Sequence, residues 1–257
     1  MNQRLAWLLA LALALAAFPA PALGDGNFTD DMKIEYGVDL SPEDGADSVE
    51  RLGDHADSPY FPHLDVYNMV STNTLTILTH FKTIQQTSEW SCGPAAALMV
   101  LEWYGQRGRY NEESLATLRA QGATPTATSL SQMVDMFHGV GGFACYSAID
   151  AGDRARGVFT PRYIQQTLGS GAPIIIGWND WGGHWQVIIG YDNLGTETEQ
   201  DDVILVADPY DTTDHNQDGY GLYPAQRFLC NFTFYDLFSQ DSGELNDFCF
   251  LVVTPEK

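Results

Sequence analysis

The sequence predicts an α+β fold in which a helical N-terminal half packs on a C-terminal antiparallel sheet. Three observations lead there. Residues up to about 168 carry apolar side chains at helical spacing, and residues 172 to 254 carry apolar runs of strand length separated by Gly, Asn and Asp turns. No internal repeat is visible beyond the first 24 residues. Helices followed by strands place a functional site in the cleft between the two halves.

The chain opens MNQRLAWLLALALALAAFPAPALG, with one arginine, an uninterrupted apolar run from Leu5 to Phe18, and then small residues and prolines. This reads as a secretory signal over residues 1–24, removed near Ala22 or Gly24. The run is too short to span a bilayer comfortably, so no stable membrane insertion is expected after cleavage. The mature protein is expected to be exported, periplasmic or extracellular, where disulfides form. Residues 25–70 follow as an acidic, flexible arm: SPEDGADSVERLGDHADSPYFPHLD has no sustained apolar period. Residues 71–257 form the expected folded domain. Hydrophobic residues make up 44% of the chain, enough for a core, and 34 Asp plus Glu against 12 Lys plus Arg exclude nucleic acid and anionic lipid as partners.

Within that domain the elements can be justified in order. TLTILTHF (74–81) alternates like a strand, and from Pro94 to Tyr104 the residues Leu98, Leu101 and Tyr104 share a helical face. ESLATLRA and SLSQMVDMF read as short helices, the second capped by Ser129 or Ser131. TPRYIQQTL (160–168) is a helix entered through Pro161. APIIIGW (172–178), HWQVIIGYD (184–192) and DVILVADP (202–209) are strands, and CFLVVT (249–254) is placed to close the sheet.

The chemistry centres on QQTSEWSCGPAAALMVLEWYG, residues 85–105, where Cys92 stands at the start of a helix. Thiolate, not thiol, attacks a carbonyl carbon, and the positive end of a helix favours the anion. Gly93 and Pro94 support a helix start and leave room for a substrate. The imidazole partner is sought among six histidines. His184 stands at the mouth of an apolar strand behind two glycines, where a rigid element presents it to a cleft. Asp208, at the end of the next strand, is the candidate to orient the imidazole if the two strands are neighbours. Gln86, six residues before Cys92, is the candidate oxyanion donor together with the Cys92 backbone N–H, with Gln85 as its competitor.

The set Gln86, Cys92-Gly93-Pro94-Ala95-Ala96, Gly183-His184 and Asp208-Pro209, with a helix after the cysteine and the GAPIIIGW strand before the histidine, resembles the papain-like cysteine peptidases of family C-thirty-nine. That family includes the double-glycine leader peptidases of bacteriocin exporters and stand-alone relatives. The resemblance covers roughly residues 75 to 254. It implies a papain-like fold, Cys92 as nucleophile, His184 as general base and acid, Asp208 as its orienting partner, Gln86 in the oxyanion hole, and a peptide or protein substrate. The leader peptidases are fused to a transporter and work in the cytoplasm, whereas this chain opens with an export signal. Processing of a double-glycine leader is therefore not implied. The same frame also hosts acyl or amide transferases and catalytically silent binding modules, which are the alternatives to hydrolysis.

Two side features complete the reading. Asp214, Asn216, Asp218 and Gly219 match the first half of an EF-hand loop, but Ala225 stands where a bidentate glutamate is usual. Calcium is carried as a candidate ion, with Asp211 as an extra ligand, against the alternative of a polar turn; no cofactor is required by the cysteine chemistry. With Cys92 kept free, three cysteines remain, and a bridge between Cys230 and Cys249 is the preferred pairing.

Overall fold

A computed structural model of the chain describes residues 58–60, 62–211, 217–234, 238 and 244–256. The expected signal peptide and residues 25–57 of the arm lie outside the described residues. Packing begins ahead of the expected domain start, because Val66 is buried and Tyr67 and Met69 lie against the core. The Thr79 hydroxyl donates to the Met69 carbonyl and the His80 N–H to that of Tyr67, which ties this segment to the domain.

Strand β1 is short, Leu75–Ile77, where eight strand residues were expected. His80 adopts φ 64°, and the Phe81 N–H turns back to the Leu78 carbonyl, so the chain leaves the sheet there. Helix α1, Cys92–Trp103, starts two residues earlier than the apolar period suggests, at the cysteine itself. Every residue of it from Cys92 to Leu101 is buried, because it lies between strand β4 of the sheet (below) and the other helices. Burial of each large apolar side chain on it contributes about 1.5–3 kcal/mol.

Capping sets the ends of the next helices. In α2, Glu112–Ala116, the Asn111 side chain accepts from the Ser114 N–H and Ser114 reciprocates. In α3, Leu130–Val140, Ser129 and Gln132 make the same box, which decides for Ser129 over Ser131, and Gly141 ends the helix at φ 82°. Strand β2, Phe143–Ser147, leads into two single-turn helices, α4 (Ala148–Ala151) and α5 (Ala155–Val158). Helix α6, Pro161–Gly169, has Thr160 as its cap and proline in its first turn.

The second half is the sheet: β3 (Ile174–Trp178), β4 (His184–Asp192), β5 (Val203–Ala207), β6 (Tyr220–Pro224) and β7 (Cys249–Pro255), with α7 (Ala225–Cys230) between the last two. The strand order is β2-β7-β3-β4-β5-β6, and every pairing is antiparallel. Strand β1 joins the far half of β4, opposite Gly190 to Asp192, where β3 has ended. Helices α1 and α6 pack on β4, which explains why nearly all of HWQVIIGYD is buried rather than alternating.

Two expectations are corrected. CFLVVT does not close the sheet; β7 runs inside it, and the edges are β2 and β6. Both edge strands escape sequence reading because they lack an apolar run, and β6 carries Gly221 and ends in Pro224, residues suited to an edge. The bridge between Cys230 and Cys249 is absent, for all four cysteines are free thiols. Strand register sets Cys249 opposite Gly177 in the buried sheet, its thiol donating to the Leu245 carbonyl at 3.6 Å, whereas Cys230 is exposed at the end of α7.

Candidate active site

Cys92 is 6% exposed and is the first residue of α1, so its backbone N–H is one of the unpaired donors at the helix start. The turn before it is fixed by hydroxyls: the Ser91 Oγ donates to the Ser88 carbonyl at 3.0 Å and accepts the Ser88 N–H at 3.2 Å. The helix packs so closely that a Cβ on Gly93 would lie 2.7 Å from the Cβ of Thr128. Glycine is therefore required beside the cysteine for packing, not for an unusual φ.

His184 is the first residue of β4 and is 3% exposed. Its Nε2 lies 2.6 Å from Asp208 Oδ1, and Cys92 is near enough to act on the charge of the ring. Since Nε2 faces the carboxylate, Nδ1 is the ring nitrogen left for the thiol. Strands β4 and β5 are paired neighbours, Val187 opposite Ala207, and this brings Asp208 beside the histidine. The Asp208 carboxylate is held from two further directions: Oδ1 accepts the Tyr210 N–H at 2.8 Å and Oδ2 accepts the Gln186 amide at 2.7 Å.

The charges follow from this geometry. Burial opposes the imidazolium, but the Asp208 charge, its hydrogen bond and then Cys92 outweigh it, raising the His184 pKa above its ordinary 6.5. Burial likewise opposes the Asp208 carboxylate, yet His184, with Tyr210 N–H and Gln186, draws its pKa below the ordinary 3.8. Each group is thus held in its charged form by the other.

The two glutamines have different surroundings. Gln85 spans the loop after β5, its Nε2 donating to the Asp208 carbonyl at 2.9 Å and its Oε1 accepting the Asp211 N–H at 3.2 Å. Gln86 faces the cysteine's side: its Nε2 donates to the Ser88 carbonyl at 2.7 Å, within the turn that leads to Cys92, and its backbone N–H donates to the Pro209 carbonyl at 2.7 Å. Consecutive residues therefore join the Asp208 loop to the Cys92 turn.

Gln186 was not singled out from sequence. A signal for it existed, since a residue two positions after His184 points to the same face of the strand and is polar within an apolar run. Its Oε1 accepts the Trp178 indole N–H at 2.8 Å, and its amide also reaches Asp180 Oδ2 and the Tyr223 hydroxyl, both at 3.1 Å. Asp180 and Tyr223, themselves 2.9 Å apart, come from a turn and an edge strand that no spacing connects.

Of the candidate calcium ligands, Asp214 and Asn216 lie outside the described residues. Asp218 is buried and its Oδ1 accepts the Tyr220 N–H at 3.0 Å, while Asp211 Oδ2 accepts the Gly219 N–H at 2.7 Å. Among the described residues no group of three or more His, Cys, Asp or Glu could hold a metal. His80 and His138 sit at a turn and at the end of α3, and His55 and His215 lie outside the described residues.

Comparison with known proteins adds the following. The model of the Peptidase_C39 like family matches residues 78–233, more than half of the chain and spanning Gln86, Cys92, His184 and Asp208. Among solved structures, the chain is similar to the peptidase domain of Streptococcus ComA, a bifunctional ABC transporter involved in quorum sensing, with 18% identity and a TM-score of 0.41 over 69% of this chain and all of that one. It is also similar to a C-thirty-nine-like peptidase from Bacillus anthracis, with 13% identity and a TM-score of 0.47 over 72% of this chain and all of that one. No curated protein matches the sequence. Among the described residues no helix is long and apolar enough to cross a membrane.

Proposed function

The chain belongs to the C-thirty-nine-like peptidase family, and from that premise we propose that it is an exported cysteine peptidase or amide hydrolase whose nucleophile is Cys92. The observation that carries this reading is the His184 ring, held on Nε2 by Asp208 at 2.6 Å and in the electrostatic reach of Cys92. A cysteine, an imidazole and an orienting carboxylate in that order are what thiolate attack on an amide needs.

In the first half-reaction Cys92 Sγ, as thiolate, bonds to the carbonyl carbon, and the carbonyl π electrons move to oxygen. The oxyanion is met by the Cys92 backbone N–H and by the Gln86 amide, which lies against the same turn. The C–N bond then breaks, and the His184 Nδ1 proton passes to the departing amine. In the second half-reaction His184 takes a proton from water, the hydroxide oxygen bonds to the thioester carbon, and the thiolate leaves. Asp208 keeps the proton on Nε2 throughout, so that Nδ1 is the nitrogen that exchanges with substrate. A peptide is the substrate class expected from the family. Calcium has no part in these steps.

Turnover of a peptide panel by the mature protein tests the reading: Cys92→Ala should abolish hydrolysis, and iodoacetamide should label Cys92 faster than Cys145, Cys230 or Cys249, with His184→Ala slowing that labelling. No turnover dependent on Cys92, together with calorimetric calcium binding, would instead identify a silent binding module. Amide products formed from added amine acceptors would identify an acyl transferase on the same frame. Detection of residues 1–24 in the exported protein would overturn signal cleavage.

A further inference from the structure

Arg119 is 2% exposed, and none of the steps above uses it. All five of its N–H donors are engaged. Nε reaches the Ala116 and Gly122 carbonyls, one terminal nitrogen the Gly122 and Thr124 carbonyls, and the other the Thr126 carbonyl at 3.1 Å and Thr128 Oγ1 at 2.8 Å. Every one of these acceptors is neutral. Among the described residues no carboxylate forms an ion pair with it. A buried cation with only neutral acceptors is costly, and a neutral side chain could tie the same loop.

The position of that loop suggests what the charge is for. Thr128, the end of the Arg119 fork, is the residue against which Gly93 packs, next to Cys92. Its carbonyl accepts the Trp185 indole N–H at 2.8 Å, and Trp185 follows His184. The guanidinium also lies over Trp90, two residues before Cys92, with its carbon 5.1 Å from the ring centroid. One arginine thus braces the segments that carry both members of the reacting pair.

We propose that Arg119 is a positioning residue for Cys92, and that its buried positive charge favours the Cys92 thiolate. The inference rests on Cys92 being the nucleophile. Burial lowers the Arg119 pKa and the Cys92 charge acts in the opposite direction, as expected if each lies in the other's field. Arg119 does not touch substrate in this reading; it acts through the thiol.

The test is the pH profile of Cys92 alkylation by iodoacetamide, followed by mass spectrometry of the Cys92 peptide, with thermal unfolding recorded in parallel. Removing a nearby positive charge raises a thiol pKa, so Arg119→Met should move the acid limb of the profile upward by about one pH unit, a tenfold loss of rate on that limb. Arg119→Lys should keep the limb near its wild-type position while lowering Tm, since the charge stays and the fork is lost. A lower Tm with an unmoved limb in Arg119→Met would overturn the proposal and leave Arg119 a loop brace. Should Arg119→Met not fold, Arg119→Gln takes its place with the same reading: a limb moved upward supports the charge, and an unmoved limb overturns it. Labelling of Cys92 no faster than that of the other three thiols, with no turnover that Cys92→Ala abolishes, would instead defeat the nucleophile reading itself.

Discussion

The two sides of the candidate site are built by different means. On the histidine side, a set of side-chain hydrogen bonds runs from His184 to Asp208, then to Gln186, and on to Trp178, Asp180 and Tyr223. On the cysteine side, Cys92 is placed by a helix whose first ten residues are all buried and whose Gly93 touches Thr128. A polar network in a dry interior is intolerant of a lost partner, because the group left behind stays buried and unsatisfied. A packed helix is intolerant of a change in volume. The same site should therefore fail in two distinct ways.

The largest failure is expected from Asp208→Ala. It strands a buried imidazole together with Gln186 and the Tyr210 N–H, and breaking such a pair costs about 3–5 kcal/mol of stability. Turnover should fall by about 10³–10⁴-fold as the His184 tautomer is lost. Chemical denaturation and steady-state kinetics on one preparation check both. Alteration of kcat without loss of stability would show the network to be less buried in effect than its geometry implies.

Titration breaks the same pair without mutation, and the sign follows from the shifts. The His184 pKa is raised, so its contribution is complete below the ordinary 6.5 and is lost as pH rises from there through the folded value. The Asp208 pKa is depressed, so its contribution is complete above 3.8 and is lost as pH falls from there. The Tm difference between wild type and Asp208→Ala should be greatest between those two values and narrow on either side. A difference that is flat with pH would separate the stability of this region from its ionisation.

On the cysteine side, Gly93→Ala forces a Cβ to 2.7 Å from Thr128 and should cost about 1–3 kcal/mol as overpacking, independent of pH. Because the neighbour is Cys92, activity should fall with it. If Tm drops and kcat does not, placement of the thiol does not depend on this contact. Gln186→Leu is expected to have the smallest effect on turnover, because it touches no reacting group; it leaves Asp208 Oδ2 and the Trp178 indole N–H without this partner, at about 1–3 kcal/mol each, with the acid limb of the stability profile moved upward because Asp208 has lost a donor. Equal effects on kcat from Gln186→Leu and Asp208→Ala would merge the two residues into one functional unit.

Much of this was legible in the chain. Strand β4 was read with its observed bounds, since HWQVIIGYD is an apolar run between turn residues, and α6 was flagged by Pro161. Cys92, His184 and Asp208 could be named because each sits where an element begins or ends, and such ends are marked by local residues such as Gly93-Pro94, Gly182-Gly183 and Pro209. The edge strands β2 and β6 were not legible, for an edge needs no apolar run. Nor was the free state of Cys249, which follows from its place opposite Gly177.

The sequence by itself determined the helix starts, the buried strands, the balance of charge and the residues able to do thiol chemistry, because capping, periodicity and side-chain type act over a few neighbouring positions. The tertiary structure decided which of those residues meet. Gln186 reaches Asp208 through the register of β4 on β5, and Arg119 braces the Cys92 and His184 segments through Thr128, 57 residues before its Trp185 partner in the chain. Contacts of that kind depend on sheet register and close packing between distant segments, which no local pattern in the chain specifies.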